Sequence, residues 1–144
     1  MTAEKLSLQP AILLVEDNQD DVLLIRREFQ RTGLPNPLQV ASTGPRAIAY
    51  LTGSGIFGDR IQYPFPALVL LDINMPGSDG FAVLKWIRRQ SAFARLCVVV
   101  LSSSDAMRDV NFAHHLGADS FLVKPLESRS LTELWQAALL KRPT

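Results

Sequence analysis

The sequence predicts an α/β domain built on a parallel sheet, and three observations lead there. Four short apolar runs, Ala11–Val15, Ala67–Leu71, Cys97–Leu101 and Ser120–Val123, read as strands. They are continuous rather than alternating, which is the pattern of a parallel strand covered by helices on both faces. Segments of helical periodicity lie between them, so the order along the chain is βαβαβαβαβα.

Each element has its own signal. After the first run, Asp20–Thr32 carries Val22, Ile25 and Phe29 on one face, and Gly33 stops the helix. A weaker run, Pro37–Ala41, reads as a fifth strand, and its prolines suit a sheet edge. Gly44–Leu51 gathers Ala47, Ile48 and Leu51. The stretch Gly53–Pro66 holds three glycines and two prolines. It is long for a helix-to-strand connection, where roughly 2–6 residues is usual. It reads as a surface insertion, with a partner-contact loop as the other reading. In Ser78–Ser91 the residues Val83, Leu84 and Ile87 face inward, with Lys85, Arg88 and Arg89 outward. Arg108–Leu116 is a short helix that ends at Gly117. Ser128–Leu140 presents the stripe Leu131, Leu134, Trp135 and Ala138, and Pro143 follows it. One domain accounts for residues 1–144, with a core over about 11–140 and an N-terminal extension over 1–10.

Composition narrows the function classes. The chain is 47% hydrophobic, enough for a sizeable core, and its net charge is +1 from 15 basic and 14 acidic residues. Nothing in that balance points to nucleic acid or to an acidic tail. A single cysteine, Cys97, lies in an apolar run and reads as a buried small hydrophobe, so neither a disulfide framework nor a CxxC metal site is available. No apolar run approaches the roughly 20 residues of a membrane span, and Met1–Pro10 has no signal core. A soluble, cytoplasmic protein is the default expectation.

The chemistry gathers where the strands end. Glu16 and Asp17 follow the first strand, Asp72 the third, Ser102, Ser103 and Ser104 the fourth, and Lys124 and Pro125 the fifth. In an open parallel sheet these ends share one rim, where ligand sites form. Three carboxylates there repel one another, by about 4 kcal/mol per pair at 4 Å and an effective dielectric near 20. Lys124 offsets part of this, and a hard divalent cation such as Mg²⁺ suits the remainder. No His or Cys lies at these ends, which argues against zinc. A carboxylate can act as a nucleophile and form an acyl phosphate, a transfer that needs positioning and charge neutralisation above all. Each piece alone is bland. An acidic pair after a strand makes a solvated turn, a Ser triplet caps a helix, and Asp105 can equally cap the next one.

The stretches Ile12–Asp17 (ILLVED), Val69–Gly80 (VLLDINMPGSDG), Val98–Ser102 (VVVLS) and Ala118–Pro125 (ADSFLVKP) resemble the receiver domain of two-component response regulators. The resemblance runs from about Ala11 to Leu140. The opening Val15–Ile25 and the Gly53–Pro66 insertion resemble the stand-alone regulators paired with bacterial phytochrome-type histidine kinases. This implies a flavodoxin-like three-layer (βα)5 fold with strand order 2-1-3-4-5. It also implies a non-enzymatic phosphoacceptor that catalyses only its own phosphorylation and dephosphorylation. Asp72 would accept the phosphoryl group. Asp17 would bind Mg²⁺ directly, Glu16 through water and Asn74 through its main-chain carbonyl. Ser102 would donate its hydroxyl to the phosphoryl group, Lys124 would pair with it, and Phe121 would be the aromatic switch. The Lys124–Pro125 bond would be cis. Asn74 and Ser104 flank the site and would tune hydrolysis.

The implied partner is a sensor histidine kinase of the bacteriophytochrome kind. The implied output is remodelling of the face formed by Arg108–Leu116, Ser120–Val123 and Ser128–Leu140, where Phe112 and Leu116 are apolar and where a homodimer is compatible with the resemblance. No nucleic acid or membrane partner is implied. The chain departs from the commoner pattern with Glu16 for Asp, Ser102 for Thr and Phe121 for Tyr, none of which removes the chemistry.

Other functions fit less well. A phosphohydrolase on a related scaffold needs a carboxylate two residues after its nucleophile, and that position holds Asn74. A nucleotide-binding domain wants a Gly-rich or Ser/Thr-rich loop after the first strand, where Glu16, Asp17 and Asp20 would repel phosphate. A receiver belonging to a longer hybrid kinase and a phosphorelay shuttle remain compatible with the same residues. Phe29 and Trp135 read as core, and His114 and His115 as surface. Asp20 and Asp21 read as first-turn residues that suit the helix dipole. Gly80 and Gly117 read as backbone devices.

Overall fold

In the computed structural model, residues 9–75 and 79–141 are described. The expected helix start at Ser78, the stop at Pro143 and most of the N-terminal extension lie outside the described residues. The elements are β1 (Ala11–Val15), α1 (Gln19–Thr32), β2 (Leu38–Ala41), α2 (Gly44–Thr52), β3 (Pro66–Asp72), α3 (Asp79–Arg89), β4 (Cys97–Ser102), α4 (Met107–His115), β5 (Ser120–Val123) and α5 (Ser128–Lys141). The expected runs therefore form strands, with β3 and β4 each one residue longer at the carboxyl end. Asp72 and Ser102 close strands rather than follow them.

The sheet is parallel in the order β2-β1-β3-β4-β5, as the resemblance implies. The chain moves from β1 out to β2, then crosses back to β3 on the other side of β1. The crevice for a ligand opens at that reversal. Alternate residues of each strand serve two separate cores. Leu13, Val15, Val69, Leu71, Val98 and Val100 pack with Ala47 and Leu51 of α2, Val83, Leu84 and Ile87 of α3, and Ala113 of α4. Ile12, Leu14, Leu68, Leu70, Val99 and Leu101 pack with Ile25 and Phe29 of α1 and Leu131, Trp135 and Ala138 of α5. Both faces are covered, so the middles of β1, β3 and β4 are apolar on both sides, and that explains the unbroken apolar runs.

Helix ends are set locally. The Asn18 side chain accepts from the Asp21 N–H at 3.0 Å and caps α1. Gly33 ends the same helix at φ 71°, a left-handed conformation that costs a glycine nothing. Among the described residues no helix is long and apolar enough to cross a membrane.

Two expectations need correction and one is refined. The segment between α2 and β3 lies mostly at the surface, as expected, but it is anchored to the domain. Phe57, in a 3₁₀ turn over Gly55–Gly58, is buried. It packs 5.1 Å from the rings of both Tyr50 and Tyr63. Arg60 donates to the carbonyls of Tyr50 at 2.8 Å and Leu51 at 3.1 Å, tying the segment to the end of α2. Tyr50 itself is buried, and its hydroxyl donates to the Pro64 carbonyl at 2.7 Å. Arg88, expected to face solvent, lies largely covered. Its guanidinium donates to the carbonyls of Gly117 (2.9 Å), Phe93 (3.2 Å) and Leu96 (2.8 Å), and to Asp119 Oδ2 (2.9 Å). Five donors on a planar fork let one side chain close four loop acceptors that a lysine could not reach together. Asp105 does not cap α4. The cap position is Ala106, with no side-chain bond, and the Ser104 hydroxyl instead accepts from the Ala106 N–H at 3.3 Å.

Candidate functional site

The strand register brings the rim residues together. Val15 pairs with Leu71, Asp72 with Leu101 and Ser102 with Val123, so along β1, β3, β4 and β5 each strand stops within one residue of its neighbour. Glu16 follows β1, anchored by its N–H to the Ala41 carbonyl at 3.0 Å. Lys124 follows β5, anchored by its N–H to the Ser102 carbonyl at 2.8 Å. The Lys124–Pro125 bond is cis, as expected.

Three of the expected carboxylates converge. Ligand oxygens of Glu16, Asp17 and Asp72 all lie within 4.8 Å of one another. Glu16 and Asp72 are almost completely buried, at 1% and 2% exposure, whereas Asp17 faces solvent. Asp72 also accepts from the Asn74 N–H at 2.9 Å, which fixes one of its oxygens. An open depression lined by these side chains, Asn74, Ser103 and Lys124 leads to solvent.

Among the described residues, one ammonium serves this negative cluster. Lys124 Nζ donates to Glu16 Oε1 at 2.5 Å and to Asp21 Oδ2 at 2.9 Å, and sits 3.5 Å from Asp72 Oδ2. Burial pushes the Glu16 carboxyl up to about 7. The hydrogen bond and charge of Asp72 push the same way, and Lys124 only partly opposes them. Burial alone would lower the Lys124 ammonium. The bonds to Glu16 and Asp21 and the charges of Asp72 and Glu16 outweigh it and hold the group above the ordinary lysine value. The site is thus short of positive charge and built of hard oxygens, and that donor set suits a divalent cation.

Ser102 is fully buried, and its Oγ accepts from the Ser104 N–H at 3.0 Å. Ser103 rather than Ser102 lines the depression. Its N–H and its hydroxyl both donate to Asn74 Oδ1, at 2.8 and 3.2 Å. Asn74 is exposed and at the rim. Phe121 is half-buried against the core under α2, α3 and α4 and pairs with Val100, two residues before the end of β4. Phe112 is 46% exposed on α4, and Leu116 is half-buried.

Two contributors escaped the sequence reading. Asp21 does sit in the first turn of α1, but it also holds Lys124. Ser103 fixes the Asn74 side chain. Asp21 had one legible signal, because a single lysine against so many carboxylates has spare donors to fill.

The chain belongs to the response regulator receiver domain family, whose model matches residues 12–136. Receiver domains are phosphoacceptors that bind a divalent metal and interact with histidine kinases. Among its relatives is the probable methanogenesis regulatory protein FilR2 of Methanothrix harundinacea. The two are 36% identical over 120 residues, covering 83% of this chain and 75% of that protein. The solved structure of response regulator RPA3017, from red light signaling of R. palustris, superposes with a TM-score of 0.83 at 32% identity. The match covers 94% of this chain and 99% of that one. The Mn²⁺-bound form of response regulator Rcp1, a protein of Synechocystis, gives a TM-score of 0.72 at 32% identity, over 90% and 88% of the two chains.

Proposed function

We propose that Asp72 accepts a phosphoryl group from a phosphohistidine of a sensor histidine kinase, in a cytoplasmic pathway of the red-light, phytochrome type. The observation that carries this reading is the setting of Asp72. It is a buried carboxylate at the end of the central strand, beside Glu16 and Asp17 and 3.5 Å from an ammonium. In the transfer, an Asp72 oxygen attacks phosphorus. The P–O bond forms as the P–N bond to imidazole breaks, and the departing nitrogen keeps the electron pair and takes a proton from water. The chain turns over only its own phosphoryl group.

Asp17 and Asp72 would hold Mg²⁺ directly, with Asn74 through its main-chain carbonyl and Glu16 through water. When bound, the ion offsets the repulsion between carboxylates and an incoming phosphoryl group. Lys124 pairs with the transferred group and Ser102 donates its hydroxyl to it, while Asn74 and Ser104 control the approach of water. As Ser102 moves, Phe121 takes the vacated space and α4, β5 and α5 shift. That face exposes Phe112 and Val123 for a partner or a second copy. The red-light assignment is supported by the likeness to RPA3017 across almost the whole of both chains.

The test is intact-mass measurement with a small phosphodonor and Mg²⁺. The protein is expected to gain one base-labile phosphoryl group, and Asp72→Asn or a chelator is expected to abolish the gain. Undiminished labelling of Asp72→Asn refutes the assignment.

A further inference from the structure

We infer that Asp21 is a positioning residue that competes with the phosphoryl group for Lys124, and so weakens the protein's hold on a phosphorylated Asp72. The inference rests on the assignment of Asp72 as acceptor. Three carboxylates face the Lys124 ammonium, but unequally. Glu16 and Asp21 receive hydrogen bonds at 2.5 and 2.9 Å, whereas Asp72 lies at 3.5 Å, beyond a good one. An ammonium has three N–H donors, and at least two are already committed away from Asp72.

Asp21 comes from a different element than its competitors, the first turn of α1, and is held by the helix itself. Asn18 caps the helix through the Asp21 N–H, which fixes the backbone from which the carboxylate reaches across to β5. A phosphoryl group on Asp72 draws Nζ to the Asp72 side of its three partners, at the expense of the Asp21 bond. Glu16 belongs to the acidic cluster beside Asp72 and stays close in either position. Asp21 is the partner that is lost, so its charge favours the unphosphorylated arrangement.

Beryllofluoride adds to a carboxylate oxygen as a stable mimic of the acyl phosphate, and it separates binding from hydrolysis. Its affinity is read by calorimetry at saturating Mg²⁺ for wild type, Asp21→Asn, Asp21→Glu and Asp20→Asn. Asp20 lies in the same turn, is exposed and makes the same charge change without touching Lys124. Removing one partly exposed ion pair of this kind is worth about a two- to fivefold change. Asp21→Asn is expected to bind tighter than wild type by that factor, beyond any change in Asp20→Asn. Asp21→Glu, which keeps the anion, is expected to stay near wild type. Asp21→Asn binding no tighter than Asp20→Asn overturns the inference, as does Asp21→Glu binding as tightly as Asp21→Asn. Failure of the wild type to bind at all refutes the Asp72 assignment instead.

Discussion

Replacing Gly80 with alanine tests how closely α3 must approach the site. A Cβ built on Gly80 meets the Asp72 carbonyl oxygen at 2.4 Å and the Ile73 Cα at 2.7 Å. Ordinary contact begins at 3.4 Å, so the helix would have to back away from β3 by about an ångström. Both neighbours are backbone, and no rotamer change relieves the clash. Two effects oppose each other. Alanine in a helix is favoured over glycine by about 1 kcal/mol. Overpacking costs about 1–3 kcal/mol, and rigid backbone neighbours place this site at the upper end. The net expectation is a loss of about 1–2 kcal/mol, a fall in Tm of roughly 3–7 °C for a chain of this length.

The assay is urea unfolding, with the midpoint moving at constant slope. Gly33→Ala is the control. It has nothing within 4 Å and suffers only from its left-handed φ of 71°, a cost of about 1–2 kcal/mol. Because the displaced atoms belong to Asp72 and Ile73, Mg²⁺ affinity is expected to fall in Gly80→Ala and to hold in Gly33→Ala. A Gly80→Ala protein as stable as wild type, with unchanged Mg²⁺ affinity, would refute the close-approach argument.

Two further outcomes follow from packing away from the site. Arg88→Ala removes the Gly117 carbonyl's side-chain donor, whereas the Phe93 carbonyl keeps the Leu96 N–H, the Leu96 carbonyl keeps Lys141 Nζ, and Asp119 keeps Lys141 and the Val98 N–H. It is expected to cost about 1–3 kcal/mol in urea unfolding, with Arg88→Lys recovering less than half. Burial, with the charge of Asp119 adding to it, pushes the Cys97 thiol up to about 11, so thiolate is scarce at pH 8. Ellman's reagent is therefore expected to label Cys97 only when urea unfolds the chain, and rapid labelling of the native protein would contradict its burial.

The sequence by itself determined the layered α/β plan and most of the acidic site. Runs such as Leu68–Leu71 and Val98–Leu101 can be unbroken only if both faces of the sheet are covered, and the chain order then leaves the residues after each strand on one rim. Glu16, Asp17, Asp72 and Lys124 were legible for that reason, since their position depends on strand ends and not on any particular side-chain contact. The tertiary structure decided what depends on long-range pairing. Arg88 lies on a helix stripe that reads as solvent-facing, yet its four acceptors come from loops 5 to 31 residues away. The 53–66 segment carries turn residues and no periodicity, because Phe57 and Tyr63 bury themselves against Tyr50 rather than along a helix or strand of their own. Asp21 carried the local signature of a first-turn carboxylate, and only the approach of a lysine 103 residues further on gave it a second partner. Local periodicity encodes which face of an element is covered. It does not encode which distant charge or carbonyl a long polar side chain reaches, and that choice is made only when the elements pack.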